Sequence, residues 1–457
     1  MLPEKFTERM MKLLGEDFPA FLSALEENAV RGLRINTLKC ERESFLDKNI
    51  LPISPLSYTD TGFILDSEEQ VGRLAEHHSG RIYMQDPGAM APLSAIEIPR
   101  GARVIDLCAA PGGKSGQAAA MIGDGGFILS NEYVPKRAKI LVSNFERLGI
   151  KNAIVTSMDT AKLCELYSDF FDFAIVDAPC SGEGMFRKND VAAEEWSEEN
   201  VKVSSERQRE ILNNAARLVR GGGYIIYSTC TYSSEENEKT VDEFLSSHPD
   251  FSPVPLPEKI IGATAPAICD GVNWENVKYA RRFYPHISKG EGQFLALIQK
   301  NTADLPSLLY KNAEKPLSKS ESEVVRKFLN DTLSEDLDVR ICKSGDNILL
   351  LPPSLPSLPP HSVFMAGVLL GEIQKGRIIP SHQFFSAYGS VFRTRVDLSD
   401  GDGRLEAYLE GEEIAAPKNT DDGYCVITYK GSSLGGGKIS GGKIKNHYPK
   451  GLRNRKI

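Results

Sequence analysis

Val104-Ile-Asp106-Leu-Cys108-Ala-Ala-Pro-Gly-Gly-Lys114 is the stretch that decides the fold. An apolar run ends in a carboxylate and passes at once into a loop of small residues, ahead of a run of helix formers. A central parallel strand delivers its carboxyl end to a ligand in this way. Small side chains let backbone amides come close, and the start of the following helix presents unpaired N–H groups. The stretch has neither the GxGxxG of a dinucleotide fold nor the spacing of a Walker phosphate loop. Strand-then-helix units repeat downstream. Strands are expected at Arg103–Leu107, Phe127–Asn131, Asn152–Ser157, Phe171–Asp177 and Gly223–Thr229, with helices at Lys114–Ile122, Pro135–Leu148 and Ser205–Val219. Ser233-Ser-Glu-Glu236 has the form of a capping box, so a further helix is expected from Ser233 with Glu236 at its third position. Residues 283–299 read as a closing hairpin. The fold class is α/β, a parallel sheet with helices on both faces.

Three further segments flank this core. Residues 1–78 open with helical spacing (Phe6, Met10, Leu13, Leu14) and pass into Arg31–Lys39, which alternates like a strand, giving a small α+β domain. The core is expected over 79–300. A third segment, 301–375, carries polar helix formers and then Leu351-Pro-Pro-Ser-Leu-Pro-Ser-Leu-Pro-Pro360, whose proline density excludes a regular helix or central strand and marks a rigid connection. The last, 376–457, has short strand-like runs such as Tyr424–Tyr429. No internal repeat is present.

The chain has 457 residues, 41% of them hydrophobic, enough for several buried cores. A quarter of the residues are charged and no apolar run is long enough to cross a bilayer. Glu4, Glu8 and Glu16 occupy the region where a signal peptide would be basic and then apolar, so a cytoplasmic location is expected. The eight cysteines are scattered, with no CxxC pair and no His/Cys cluster at metal-ligand spacing; free thiols and no metal are expected.

A net charge of −8 alone argues against a nucleic-acid partner. The average conceals an asymmetry. Gly431–Ile457 contains no acidic residue, while Lys438, Lys443, Lys445, Lys450, Arg453, Arg455 and Lys456 crowd together with His447 and Tyr448. Such a segment can be a solvated basic tail. Gly435-Gly-Gly437, Gly441-Gly442 and Pro449 read as turns of a folded element, which favours a phosphate-binding surface.

Around the strand ends, Glu132 stands where an acid accepts hydrogen bonds from ribose hydroxyls, and Asp159 where it can meet an adenine amino group. These residues suit an adenosyl ligand better than a dinucleotide. The weaker alternative for each is that it merely caps the helix that follows it. Cys108 reads better as a small packing residue than as a reactive thiol. Two other cysteines end strands: Cys180 in Asp177-Ala-Pro-Cys-Ser-Gly-Glu-Gly-Met-Phe-Arg-Lys188, and Cys230 in Ser228-Thr-Cys. Thiolate formation at neutral pH needs nearby positive charge or a helix start, for which Lys114 and Arg187 are candidates.

Asp106–Lys114, Asp177–Gly184 and Ser228-Thr-Cys-Thr-Tyr-Ser-Ser-Glu-Glu-Asn237 together resemble the RNA cytosine-C5 methyltransferases of the Sun type, the group that includes RsmB and RsmF. The likeness extends through Arg31–Lys39, Gln85-Asp86-Pro87, Arg282-Phe-Tyr-Pro-His286 and Gly292-Gln-Phe294. Gly436-Gly-Lys438 and Lys445–Arg453 resemble a PUA-type RNA-binding domain, which favours the RsmF side of the group. One departure is Glu132, where the family often has Asp; the carboxylate is kept.

The resemblance implies a Rossmann-like class I methyltransferase core with a C-terminal PUA-like domain. It implies S-adenosylmethionine as cofactor, held by Cys108, Ala109, Ala110, Pro111, Gly112, Gly113, Lys114, Glu132, Arg137, Asp159 and Asp177. It further implies that Cys230 attacks carbon 6 of cytosine, that Asp177 serves ring nitrogen 3, that Cys180 releases the product, and that Lys114 belongs to the catalytic set. The expected partner is RNA: rRNA of the small subunit or the ribosomal subunit itself, with tRNA as the competing substrate, Lys438, Lys443, Lys445, Lys450 and Arg453 as contacts, and a monomeric protein. A DNA cytosine methyltransferase would attack from the Pro-Cys step and needs no Ser-Thr-Cys. A non-catalytic assembly factor would have no use for Lys114, Asp177, Cys180 and Cys230 together.

Overall fold

The computed structural model describes residues 2–48, 51–188, 190–303 and 314–454. At its centre lies the expected sheet. Strands β1 (Arg103–Asp106), β2 (Phe127–Asn131), β3 (Ala153–Thr156), β4 (Phe171–Asp177) and β5 (Val219–Thr229) are parallel, and β6 (Gln293–Lys300) runs antiparallel to β5. The order is β6-β5-β4-β1-β2-β3. Strand order therefore reverses at β1, and the crevice beyond the carboxyl ends of β1 and β4 is where an open α/β sheet binds its ligand. Val104, Ile105, Ile128, Leu129, Ile154, Ile175 and Ile226 are fully buried. Burial on both faces is why these strands read as unbroken apolar runs.

The helices follow from local chemistry. Gly112 precedes α1 (Gly113–Ile122) with φ 111°, and a Cβ there would lie 2.8 Å from Leu141 Cδ1, so the turn requires glycine. Helix α2 (Pro135–Leu148) starts with proline in its first turn, buries Ala138, Leu141, Phe145 and Leu148 along one face, and stops at Gly149 with φ 72°. Strand β5 starts at Val219, ahead of the expected Gly223, and two helix starts also differ from expectation. Helix α3 (Glu198–Leu218) begins well before Ser205 because Ser197 caps it, its hydroxyl accepting from Asn200 N at 3.1 Å. Helix α4 (Glu238–Ser247) begins later than the capping box predicts. Ser233 Oγ does accept from Glu236 N at 3.4 Å, but the Glu236 carboxylate turns into the protein and bonds Ser181 instead.

The N-terminal segment forms an antiparallel sheet in the order 53–55, 62–65, 32–35, 82–84; its last strand, Ile82–Met84, lies beyond the expected boundary at 78. Two helices, Glu4–Leu14 and Phe18–Glu26, press Phe6 and Phe21 edge-on against Phe186 and Tyr232 of the core, with centroids 4.9 and 5.1 Å apart. A second antiparallel sheet is built from 340–344, 347–351, 368–374 and 377–380, so a hairpin spans the expected junction at 375/376.

The proline-rich stretch between the strands of that sheet lies against the central α/β core. Leu355 is buried there, and Ser354 Oγ donates to Gly126 O at 3.0 Å. It delivers β7 (Val363–Ala366), which pairs antiparallel with β3 and covers an edge that would otherwise present unpaired backbone groups. The final sheet has the order 395–398, 423–429, 432–440, 443–446, 414–415.

Gly435–Gly437, expected as a turn, lie within the strand Ser432–Ser440. They are glycine because of crowding: a Cβ on Gly436 would be 2.3 Å from the Phe385 ring, and one on Gly437 2.4 Å from Ile444. Gly441 and Gly442 do form the turn, with φ 59° and 76°. Arg455 and Lys456 lie outside the described residues. Among those described, no helix is long and apolar enough to cross a membrane. Gly436→Ala overpacks this site and is expected to lower the unfolding free energy by about 1–3 kcal/mol, measured by urea denaturation.

Candidate active site

Parallel pairing of β4 with β5 sets Asp177 opposite Ser228, whose hydroxyl donates to Asp177 Oδ1 at 2.8 Å. The chains continue for a few residues past the strand ends, and the Sγ atoms of Cys180 and Cys230 meet at 3.2 Å as a hydrogen-bonded pair of free thiols. Lys114, buried in the first turn of α1, reaches Asp177 Oδ2 at 2.8 Å. The four residues expected to carry the chemistry are thus brought together. The two cations expected beside the thiols are engaged elsewhere: Lys114 by Asp177, and Arg187 by Glu291 at 3.0 Å and Ala24 O at 2.9 Å. The contact with Cys230, and then burial, hold the Cys180 thiol well above the ordinary thiol range. Cys180 therefore keeps its proton, and either sulfur can be the donor across the pair.

Four neighbouring strands each end in a carboxylate. Asp177 closes β4. Asp106 closes β1, where it is buried and accepts from Ser115 Oγ at 2.5 Å and Cys108 N at 3.2 Å. Glu132 follows β2, buried, accepting from Val134 N at 3.0 Å and pairing with Arg137 at 3.3 Å. Arg137 also donates to Ala110 O at 2.9 Å, which ties the loop to the acid. Asp159 follows β3; it is exposed and caps the helix Thr160–Leu166, accepting from Ala161 N at 2.8 Å. The capping alternative therefore holds for one Asp159 oxygen. Burial, with Asp106 and Asp177 adding, pushes the Cys108 thiol well up, which suits a packing residue.

This row of acids around small backbone residues fits a ligand that carries positive charge and a pair of ribose hydroxyls, as S-adenosylmethionine does. Sequence reasoning assigned no role to Asp106; its signal was a carboxylate at the tip of the switch-point strand. Among the described residues, no group of three or more His, Cys, Asp or Glu side chains could hold a metal ion.

Motifs scattered along the chain converge on the same loops. Arg34 is buried and donates to Gly113 O at 2.7 Å and to Gln85. Asp86 caps the helix Pro87–Ser94 and pairs with Lys188 at 2.6 Å. Arg282 forms a fully buried pair with Glu238 and donates to Tyr232 O at 2.7 Å. Gly184 and Gly292 let the backbone around Cys230 pack closely: a Cβ on Gly184 would lie 2.8 Å from Cys230 O.

The expected RNA contacts divide into two groups. Lys438, Lys443, Lys445 and Lys450 are exposed. Lys438 sits opposite Lys445 across paired strands and lies over the Tyr424 ring at 5.3 Å, whereas Lys443 pairs with Glu413 at 3.0 Å. Arg453 folds back onto Tyr448 O at 3.0 Å, and Tyr448 is buried against His78, 2.6 Å from its Nδ1.

Residues 94–299 match the family described as 16S rRNA methyltransferase RsmB/F. The ribosomal RNA small subunit methyltransferase F of Vibrio vulnificus is 30% identical over 469 residues, covering 99% of this chain and 97% of that protein. The chain belongs to the RsmB/RsmF family. Residues 2–87, 327–387 and 395–454 match, respectively, the N-terminal, first C-terminal and PUA domains of RsmF. The protein of the same name from Erwinia tasmaniensis is 29% identical over 472 residues, covering 98% of this chain and 96% of its own length. A solved methyltransferase homolog from Pyrococcus horikoshii is 27% identical with a TM-score of 0.58, over 65% of this chain and 95% of that one.

Burial, opposed by the Ser115 hydrogen bond and reinforced by Asp177, pushes Asp106 up to about 7. Between the unfolded value of about 3.9 and that value, the folded protein holds a proton the unfolded chain has lost. Stability is therefore expected to fall as pH rises through this window. Urea midpoints at pH 5 and above 7 should differ less for Asp106→Asn than for the native protein.

Proposed function

We propose that this chain forms 5-methylcytosine in 16S rRNA, acting as a cytoplasmic monomer on a cytosine flipped out of its stack. Flipping costs a few kcal/mol, which basic residues in the flanking domains offset. The observation that carries the reading is the 3.2 Å thiol pair set beside the Lys114–Asp177 pair at the switch point of the sheet. Backbone groups of Cys108, Ala109, Ala110, Pro111, Gly112 and Gly113, with Lys114, Glu132, Arg137, Asp159 and Asp177, hold S-adenosylmethionine. When bound, that cofactor supplies an electrophilic methyl group.

The residues divide the work as follows. Carbon 5 of cytosine is a poor nucleophile until something adds at carbon 6. Cys230 adds there as thiolate, stabilised by the hydrogen bond that the protonated Cys180 gives it. Asp177, held by Lys114 and Ser228, passes a proton from the Lys114 ammonium to ring nitrogen 3 as Cys230 adds, so electron density gathers on carbon 5, and takes that proton back when the Cys230 bond breaks. After methylation the carbon-5 proton must leave. The contact with Cys230 is the first cause of the raised Cys180 thiol. Once the Cys230 sulfur is bonded to the ring that contact is spent; Cys180 then gives its own proton to solvent, and the thiolate so formed takes the carbon-5 proton. The carbon 6–sulfur bond then breaks and Cys230 returns as thiolate.

Bisulfite mapping of total RNA from cells with and without the protein tests the activity: loss of 5-methylcytosine from 16S rRNA is expected, and loss confined to tRNA would overturn the substrate. Cys230→Ala is expected to abolish methyl transfer from labelled cofactor. Cys180→Ala is expected to accumulate a protein–RNA adduct that survives a denaturing gel; normal turnover without adduct would remove Cys180 from the mechanism.

For RNA contacts, point substitutions are the clean test, because Gly431–Asn454 includes the buried strand Ser432–Ser440 and core residue Tyr448. Lys438→Ala and Lys445→Ala are each expected to reduce the salt slope of RNA binding by about 1, read from affinities across a salt series.

A further inference from the structure

The sequence around Glu236 offers a complete capping box, and the protein does not use it. Ser233 accepts the Glu236 N–H, yet the Glu236 side chain leaves the helix start, and α4 begins at Glu238 with no side-chain cap from Asn237. A local rule broken without local compensation points to a demand elsewhere in the fold.

The side chain has gone between the two cysteine loops. Glu236 is fully buried. Its Oε1 accepts from Ser181 N at 2.9 Å and from Gln208 Nε2 at 2.9 Å. Its Oε2 accepts from the Ser181 hydroxyl and lies 3.3 Å from Thr231 Oγ1. Ser181 follows Cys180 and Thr231 follows Cys230. Gln208 also donates to Pro179 O at 3.0 Å, so the peptides on both sides of Cys180 are held. Tyr227 OH, 2.6 Å from Glu236 O, fixes the backbone of the acid itself. Ser181 Oγ and Thr231 Oγ1 are 2.8 Å apart, which joins the two loops directly.

We propose that Glu236 is the positioning residue that sets the separation and facing of the two thiols, clamping the peptide after Cys180 to the residue after Cys230. It touches neither ring nor cofactor; it acts through the loops. The inference rests on the reading of Cys230 and Cys180 as attacking and releasing thiols. Burial pushes the Glu236 carboxyl up to about 7, with the Ser181 hydrogen bonds opposing and Glu183 adding. A carboxyl that is partly neutral can clamp the loops without placing a full second negative charge against a thiolate.

The test uses the full-length protein with Glu236→Ala, Glu236→Gln and Glu236→Asp, alongside Cys180→Ala. Glu236→Ala is expected to lower kcat about 100-fold, the size of effect seen when reacting groups are misplaced by an ångström, with KM for RNA and cofactor affinity unchanged. It should also trap adduct, because release is slowed. Glutamine keeps an oxygen for Ser181 N, and its amide can close on the two hydroxyls as acceptors, so Glu236→Gln is expected to recover most of kcat. Aspartate is one methylene short of spanning the loops and is expected to stay slow, which also serves if the alanine variant fails to fold.

Native kcat in a folded Glu236→Ala or Glu236→Asp would overturn the proposal, as would a Glu236→Gln as slow as alanine, since charge and not geometry would then be the requirement. Adduct from Cys180→Ala together with native turnover in the Glu236 variants would overturn this inference alone. No adduct from Cys180→Ala would overturn the two-thiol reading beneath it.

Discussion

The pairing of β4 with β5 is the constraint on which the site depends. Asp177 stands opposite Ser228, and from that register both strands run on to a cysteine. Side chains alternate faces along a strand, so a slip of one residue would turn one of the two cysteine-bearing strand ends to the opposite side of the sheet. The register is secured by burial: Ala174, Ile175, Val176, Ile225, Ile226 and Tyr227 are all fully enclosed, and helices on both faces leave no alternative partner. The two thiols are carried on short loops, but the distance between them is inherited from the stiffest part of the molecule.

The loops are then held by buried polar groups. Two ionic pairs, Arg282–Glu238 and Arg187–Glu291, have side chains at most 4% exposed. Desolvation can cancel the Coulombic gain of such pairs, so they are weak evidence of stabilisation and better evidence of a required geometry. Arg187 links the segment after Cys180 to the N-terminal helices through Ala24 O, and Arg282 links α4 to Tyr232 O beside Cys230. Arg34 does the same for the loop at Gly113. The N-terminal segment is thereby attached to both the Cys108–Lys114 loop and the thiol loops.

Local reading succeeded where local physics decides. The strands at 127–131 and 171–177 and the helix at 135–148 have the expected ends, because apolar runs, an N-terminal proline and a C-terminal glycine act within a few residues. It failed where distant atoms compete for the same residue. Glu236 was taken from its capping box by Ser181, which is 55 residues away in sequence. Gly435–Gly437 looked like a turn because glycine often marks one, yet Phe385 and Ile444 leave no room for a side chain in that strand. The proline-rich segment looked like a spacer, and it packs on the core while delivering β7 to the catalytic sheet.

By itself, the sequence determined the fold class, the identity of the two cysteines, the lysine and the aspartate, and the small-residue loop, because each is written in residue type and short spacing. Tertiary structure decided the rest. It placed the two thiols 3.2 Å apart, committed Lys114 to Asp177 and Arg187 to Glu291, added Asp106 to the row of strand-end acids, and separated surface lysines such as Lys438 from the internally bonded Arg453. These outcomes depend on which buried donors and acceptors remain unpaired after the chain has packed, and most such groups find their partner far away in sequence. No stretch of a dozen residues contains that information.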